Sequence, residues 1–263
     1  MSDEWRLVDD IEVPRTAAEH MAVDAALLAE VAAGAAPALR LYTWDGPALS
    51  LGRFQPATDV DVAACERLGI PLVRRPTGGR ALLHGGDLTY AVAFPRPPGA
   101  LGTVEALYER LARALVAGLA QLGVDAEVGR SDGEVGPACF GAARGADLRA
   151  GGRKLCGSAQ LQRDGAVLQH GSVLCRRLAV DETDLLAFAS ERARAVSRAE
   201  LRDRTVTLAE LGAPAEPRDV APALVTGFAQ TLDLEWRSMV EAGSDRLSEA
   251  AGRLHLPLTS KLR

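Results

Sequence analysis

Apolar residues recur along this chain at two periods, and the changes of period mark its elements. Over residues 16–33, Met21, Ala25, Leu28 and Val31 fall along one helical face, with Pro14 and Thr16 where a helix would open. A second helix is predicted from Thr103, its cap, to about Leu122, with Leu107, Leu111, Ala114 and Leu115 on its apolar side. Residues 59–68 read as a short amphipathic helix, and helices are expected again from Glu182 onward, clearest over 221–232.

Short apolar or alternating runs bounded by turn residues predict strands at 5–9, 38–44, 48–52, 71–74, 81–84, 88–94, 126–129, 147–150, 154–162 and 166–174. The first inner pair, 38–44 and 48–52, is expected to be joined by the turn Asp45-Gly46-Pro47, and the last pair by Arg163-Asp164-Gly165. Residues 130–146, rich in Gly, Ala and charge, predict a loop of unusual length, which in a compact domain is functional or disordered. Strands in hairpins with helices to one side give an α+β class with mixed or antiparallel sheets flanked by helices. Pro214–Pro222 reads as a connector, so residues 1–215 are taken as the main domain and 216–263 as a short helical extension of it.

Composition narrows the function classes. With 263 residues and 48% hydrophobic content the chain can bury a full core without disulfides or metal. The net charge of -5 argues against a general nucleic-acid surface, and no apolar run reaches membrane-spanning length. The start, MSDEWRLVDD, lacks a signal-peptide pattern, so a cytoplasmic location and free thiols at Cys65, Cys139, Cys156 and Cys175 are expected. No Cys/His spacing suggests a metal, and neither common nucleotide loop is present. Two stretches, 71–100 and 130–163, each carry a local charge of +3 in this acidic chain, suited either to an acidic partner or to a solvated Arg-rich surface. Only Lys154 and Lys261 are lysines, so the internal Lys154 stands where a compact ammonium is wanted.

Three segments carry candidate chemistry. In RRPTGGRALLH, at 74–84, Gly78 and Gly79 let a turn pass close to a ligand, Arg75 and Arg80 could hold an anion, and Thr77 and His84 flank it. An ordinary Gly-rich turn would read the same way. In GGRKLCGSAQ, at 151–160, the small residues Gly157, Ser158 and Ala159 let a substrate lie against a strand, with Lys154 at its entrance. In VLQHGSVL, at 167–174, His170 and Gly171 interrupt a buried strand, as a catalytic histidine or as a satisfied core one.

In this order the blocks RRPTGGRALLHGGDLTYAV, GGRKLCGSAQ and QHGSVL resemble the signatures of the catalytic domain shared by lipoate ligases, biotin ligases and octanoyltransferases, and MAVDAALL at 21–28 resembles that family's first-helix motif. The resemblance covers residues 7–174. It implies the class II synthetase-like fold and a pocket built from Arg75, Thr77, Gly78, Gly79, Arg80, His84, Gly157, Ser158, Ala159, His170 and Gly171. An octanoyl tunnel lined by Leu82, Leu83, Val92 and Ala159 follows from the same likeness.

Gly78-Gly79-Arg80 lacks the third glycine usual in the ligases, and Pro137-Ala138-Cys139-Phe140 is similar to the nucleophile loop of the Gram-positive-type octanoyltransferases. Cys139 stands fifteen residues before Lys154, a spacing like that group's nucleophile–lysine pair. The resemblance therefore implies octanoyl transfer from acyl carrier protein, through Cys139 with Lys154, to a lysine of a lipoyl domain or glycine-cleavage H protein, with no cofactor. Arg144, Arg149 and Arg153 would steer the acidic carrier. The alternatives are an ATP-dependent lipoate ligase, an amidotransferase between lipoyl-bearing proteins, and a non-catalytic lipoyl-domain binder. His84-Gly85-Gly86-Asp87 departs from the family pattern, which places an acid directly after the histidine, and this puts the pocket mouth in doubt.

Overall fold

Along strand β6 (Asp87–Pro95), Leu88, Tyr90, Val92 and Phe94 face one way and Thr89, Ala91 and Ala93 the other, and nearly the whole strand is buried. A strand with both faces covered must lie at the centre of a layered fold. The computed structural model, which describes residues 4–129 and 147–241, places it there.

The large sheet runs β11-β1-β2-β6-β10-β9-β8-β7. Its members are β1 (Glu4–Asp10), β2 (Ala38–Tyr42), β6, β7 (Ala126–Val128), β8 (Leu148–Ala150), β9 (Arg153–Arg163), β10 (Ala166–Leu174) and β11 (Glu235–Glu241). The pairs β1/β11 and β1/β2 are parallel, and the rest of the sheet is antiparallel. A second sheet, order β4-β3-β5, is formed by β3 (Ala48–Leu51), β4 (Leu72–Arg74) and β5 (Leu82–His84).

Helices α3 (Val104–Gln121) and α5 (Pro217–Leu232) cover one face of the large sheet, where Leu107, Leu111, Leu115, Leu224 and Phe228 pack on Leu88, Tyr90, Val92 and Phe94. Helix α1 (Ala17–Ala32) covers the other face with Met21, Val23, Leu27 and Val31. The entry angle of α1 is set by a capping box in which Thr16 accepts from the Glu19 amide and Glu19 caps Thr16 in return. The short helix α2 (Val62–Arg67) and a 3-10 turn at Glu182–Leu185 close the small sheet through Leu49, Leu51, Cys65, Ile70, Leu185 and Leu186. Helix α4 (Glu191–Arg204) lies outermost and has no buried residue.

The α+β class and most strands match the sequence pattern. The pairing of 38–44 with 48–52 does not: β2 joins β1 and β6, whereas β3 joins β4 and β5, so the Asp45-Gly46-Pro47 turn carries the chain from one sheet to the other. Residues 214–222 are not a connector but lead into α5, with Pro217 in its first turn, where the missing N–H costs nothing. The stretch after α5 returns as strand β11 beside β1 rather than as more helix. Among the described residues no helix is long and apolar enough to cross a membrane.

Candidate active site

Helix α1 meets the large sheet through buried charges as well as apolar side chains. Arg40 on β2 donates to Asp10 at 2.8 Å, to Asp24 at 2.7 Å and to the His20 carbonyl at 3.2 Å, and its other terminal nitrogen reaches His20 Nδ1 at 2.9 Å. Arg15 adds a second bond to Asp10 at 3.2 Å. His20 stacks on Tyr42 and lies against Trp44. Burial, then the Arg40 charge, pull its pKa down to about 3, so the ring is neutral and can accept from Arg40.

Two Asp–His–hydroxyl chains lie beside this network, the first sharing Asp24 with Arg40. Asp24 accepts from His170 Nδ1 at 2.9 Å, and His170 Nε2 lies 2.6 Å from the Thr77 hydroxyl. Asp87 accepts from His84 Nδ1 at 3.0 Å, and His84 Nε2 lies 2.8 Å from Ser50 Oγ. Burial lowers the His84 pKa despite Asp87, so its Nδ1 carries the proton and its Nε2 accepts from Ser50. Burial would raise Asp24 and Asp87, but hydrogen bonding and charge from His170 and Arg40, and from His84, hold each below the ordinary carboxylate range. Both rings thus have both nitrogens engaged, which fixes their orientation in the pocket wall. The sequence placed an acid beside His84 in doubt; Asp87 folds back to supply it, and its other oxygen accepts from the Gly85 amide at 2.9 Å.

The glycine turn is held from within. Arg75 donates to the carbonyls of Ser50 at 3.0 Å, Gly78 at 2.9 Å and Arg80 at 2.6 Å, and to Ser50 Oγ at 3.0 Å. Gly79 has φ +96°, and a Cβ there would sit 2.6 Å from Arg75 Nη2. Arg74 donates to the carbonyls of Gly52 and Gln55, and Arg80 pairs with Asp59 at 3.1 Å. Arg75 and Arg80, read in the sequence as anion holders, are engaged internally, and with Arg74 they brace the turn.

Between the two sheets lies a narrow cavity, closed by α1. Of the residues singled out in the sequence, it brings together Arg75, Gly79, His84, Gly157, Ser158, Ala159, His170 and Gly171. Thr77, Gly78 and Arg80 stand behind it through their bonds to His170 and Arg75. Of the expected tunnel residues, Leu82 and Ala159 line this cavity. Leu83 lines a different one, and Val92 faces α3 and α5 in the core. Met21, Tyr42, Trp44, Ser50, Thr89 and Ser172 also line it and were missed. Met21, Thr89 and Ser172 lay in segments that carried a signal, the first-helix motif and the first and third blocks, whereas Tyr42, Trp44 and Ser50 did not. Gly171 is required by close approach, since a Cβ would meet the Gly157 carbonyl at 2.5 Å and the Tyr90 ring at 2.7 Å.

Lys154 is buried on β9, three residues before Gly157 and so about 10 Å along the strand from the cavity. Its ammonium lies 2.8 Å from Asp147, also buried, and its carbonyl accepts from Val206 at 3.0 Å. Cys139 lies outside the described residues, as does Arg144. Cys65, Cys156 and Cys175 are all buried thiols. Burial raises Cys65, raises Cys156 far more, and pushes Cys175 up to about 12. A larger cavity of about 400 Å³ lies beyond β5, sharing Leu82 with the narrow one and floored by Glu182. No group of His, Cys, Asp or Glu suited to a metal ion occurs among the described residues.

Residues 16–229 match the family described as the lipoyl protein ligase A/B catalytic domain. The chain is 40% identical over 243 residues to the octanoyltransferase LipM of Kyrpidia tusciae, covering 87% of each chain. It is 37% identical over 260 residues to the LipM of Moorella thermoacetica, covering 94% of each. Among solved structures it is similar to a bipartite lipoate protein ligase from Thermoplasma acidophilum, with TM-score 0.75 and 26% identity over 94% of this chain and 91% of that one. A lipoate-protein ligase A bound with ATP gives TM-score 0.73 and 25% identity over 95% and 93%. This chain belongs to the lipoyl protein ligase A/B catalytic-domain family, and within it is an acyltransferase.

Proposed function

We propose that the enzyme moves an octanoyl group from the thioester of an acyl carrier protein to a lysine of a lipoyl domain or a glycine-cleavage H protein, through an acyl-thioester on Cys139. The observation that carries this reading is the narrow cavity between the sheets. Its walls are Met21, Trp44, Leu82 and backbone at Gly79, Gly157 and Gly171, and the polar groups of Arg75, His84 and His170 are turned to internal partners. Such a slot suits an uncharged alkyl chain. The slot measures about 40 Å³ and widens to take the whole chain, each methylene buried contributing about 0.8 kcal/mol.

Among the four cysteines, the burial of Cys65, Cys156 and Cys175 supports Cys139 as the attacking sulfur. Asp147, which follows the segment bearing Cys139, orients the Lys154 ammonium. A cation beside a thiol favours the thiolate, the reactive species. The thiolate attacks the carrier thioester, the carrier's thiol departs with a proton, and the acyl group stays on the enzyme. The acceptor amine then displaces the cysteine and an amide forms. Thioester to amide is downhill, so this route needs no nucleotide. Arg149 and Arg153, half-buried beside Lys154, are suited to drawing in an acidic carrier.

Intact mass after mixing with octanoyl-carrier thioester, without ATP, tests this directly. The mass should rise by one octanoyl in the wild type and in Cys175→Ser, and not in Cys139→Ser. Strict dependence of transfer on ATP would assign the chain to the ligases instead.

A further inference from the structure

The cavity beyond β5 contains a carboxylate that the steps above leave unused. Glu182 is 7% exposed, and its Oε2 accepts from the Leu83 amide at 2.9 Å. Its Oε1 is buried and has no hydrogen-bond partner. The other charged groups lining the cavity are paired: Arg176 with Glu216, Arg177 with Glu210 at 3.1 Å, and Arg202 with Asp181 at 3.3 Å. A buried oxygen left unpaired is costly unless a ligand completes it. The walls around it, Leu82, Leu83, Leu178, Val180 and Leu201, are aliphatic. A cavity of about 400 Å³ with these aliphatic side chains in its wall and one buried, unpartnered carboxylate oxygen behind it is complementary to a primary alkylammonium.

We infer that this cavity admits the acceptor lysine side chain and that Glu182 receives its ammonium and takes its proton. The inference rests on the reading of the enzyme as an octanoyltransferase. The cavity adjoins the acyl slot and Lys154: Leu82 lines both cavities, and Thr205, on the wall of the larger one, pairs with Lys154 along the backbone. A lysine amine at neutral pH is protonated and cannot attack. Transfer of one proton to Glu182 leaves a free amine. The amine attacks the thioester carbonyl, a C–N bond forms, and the C–S bond breaks. The departing thiolate takes the second nitrogen proton, and Glu182 returns the first to solvent.

The electrostatics suit the role. Burial, opposed by the Leu83 amide, pushes the Glu182 carboxyl up to about 7; Asp181 beside it raises it further, while the Arg75 and Lys154 charges lower it. A base with that value is part ionised at neutral pH, where proton transfer is most effective.

The test compares wild type and Glu182→Gln in separate half-reactions, since Gln keeps an oxygen for the Leu83 amide. Octanoyl loading, read by intact mass, should be unchanged. Transfer to a lipoyl domain should fall about a hundredfold at pH 7 and recover roughly tenfold per unit as pH rises, because free lysine then replaces the base. Hydroxylamine, uncharged at neutral pH, should strip the acyl group from both proteins equally. Unchanged transfer at pH 7, or an equal loss in loading and toward hydroxylamine, would overturn the assignment. Transfer by a wild type that carries no octanoyl on Cys139 would sink the cysteine route, while the Glu182 dependence of transfer would still be read.

Discussion

Lys154 Nζ lies 2.8 Å from Asp147 Oδ2, with both side chains buried. A charge at that depth needs an opposite partner, and Asp147 supplies it where the chain returns from residues 130–146. Removing one member of a buried pair is expected to cost about 3–5 kcal/mol. Lys154→Met should therefore lose both stability and octanoyl transfer. Lys154→Met with Asp147→Leu should regain most of the stability in urea melts but none of the transfer. Transfer restored in the double variant would remove Lys154 from the chemistry.

The reactivity of the thiols follows their burial. In the native protein, brief alkylation followed by peptide mass mapping should label Cys139 and spare Cys65, Cys156 and Cys175. Cys156→Ser and Cys175→Ser should keep octanoyl loading. Rapid labelling of Cys156 would contradict its placement at the Lys154 end of β9.

Ser50 and Thr77 each end an Asp–His chain. Ser50→Ala and Thr77→Val should each destabilise the fold by about 1–2 kcal/mol, the loss of a buried hydrogen bond. Transfer should decline several-fold, mainly through KM, because the histidines shape the cavity wall. A loss of a thousandfold or more in kcat would instead make one histidine a proton carrier.

Two buried groups give stability opposite pH slopes. His20 has a folded pKa of about 3 against 6.5 when free, so below pH 6.5 the unfolded chain binds a proton the folded one refuses, and stability falls toward pH 3. By pH 4 that loss is about 3 kcal/mol at 1.4 kcal/mol per unit. Glu182, at about 7 against 4.5, favours folding while protonated and loses that advantage as pH rises from 4.5 to 7. His20→Phe should flatten the acid limb of stability against pH. Glu182→Gln should flatten the alkaline limb, gaining on the order of 3 kcal/mol over wild type at pH 8. Denaturant melts at pH 4.5, 6 and 8 would read both slopes, and unchanged limbs would refute the assignments.

A Cβ at Gly171 would press on the Gly157 carbonyl and the Tyr90 ring. Gly171→Ala should raise KM for the octanoyl donor and cost about 1–3 kcal/mol of stability. A variant with normal KM would show that the acyl chain does not pass this point.

What the chain determined alone was local and periodic. Alternation along β6 and β10, the Thr16 and Thr103 caps and the glycine turns are written in near neighbours, so elements and motif glycines were legible. The tertiary structure alone decided which strands share a sheet, because a turn such as Asp45-Gly46-Pro47 reverses or redirects a chain with the same residues. It also decided the partners of the polar groups. Asp24 and His170 are 146 residues apart, and Leu83 and Glu182 are 99 apart. A carboxylate's sequence does not reveal whether a distant amide, an arginine or nothing will meet each oxygen. Burial fixes that pairing, and with it which charges brace the fold and which remain open to a ligand.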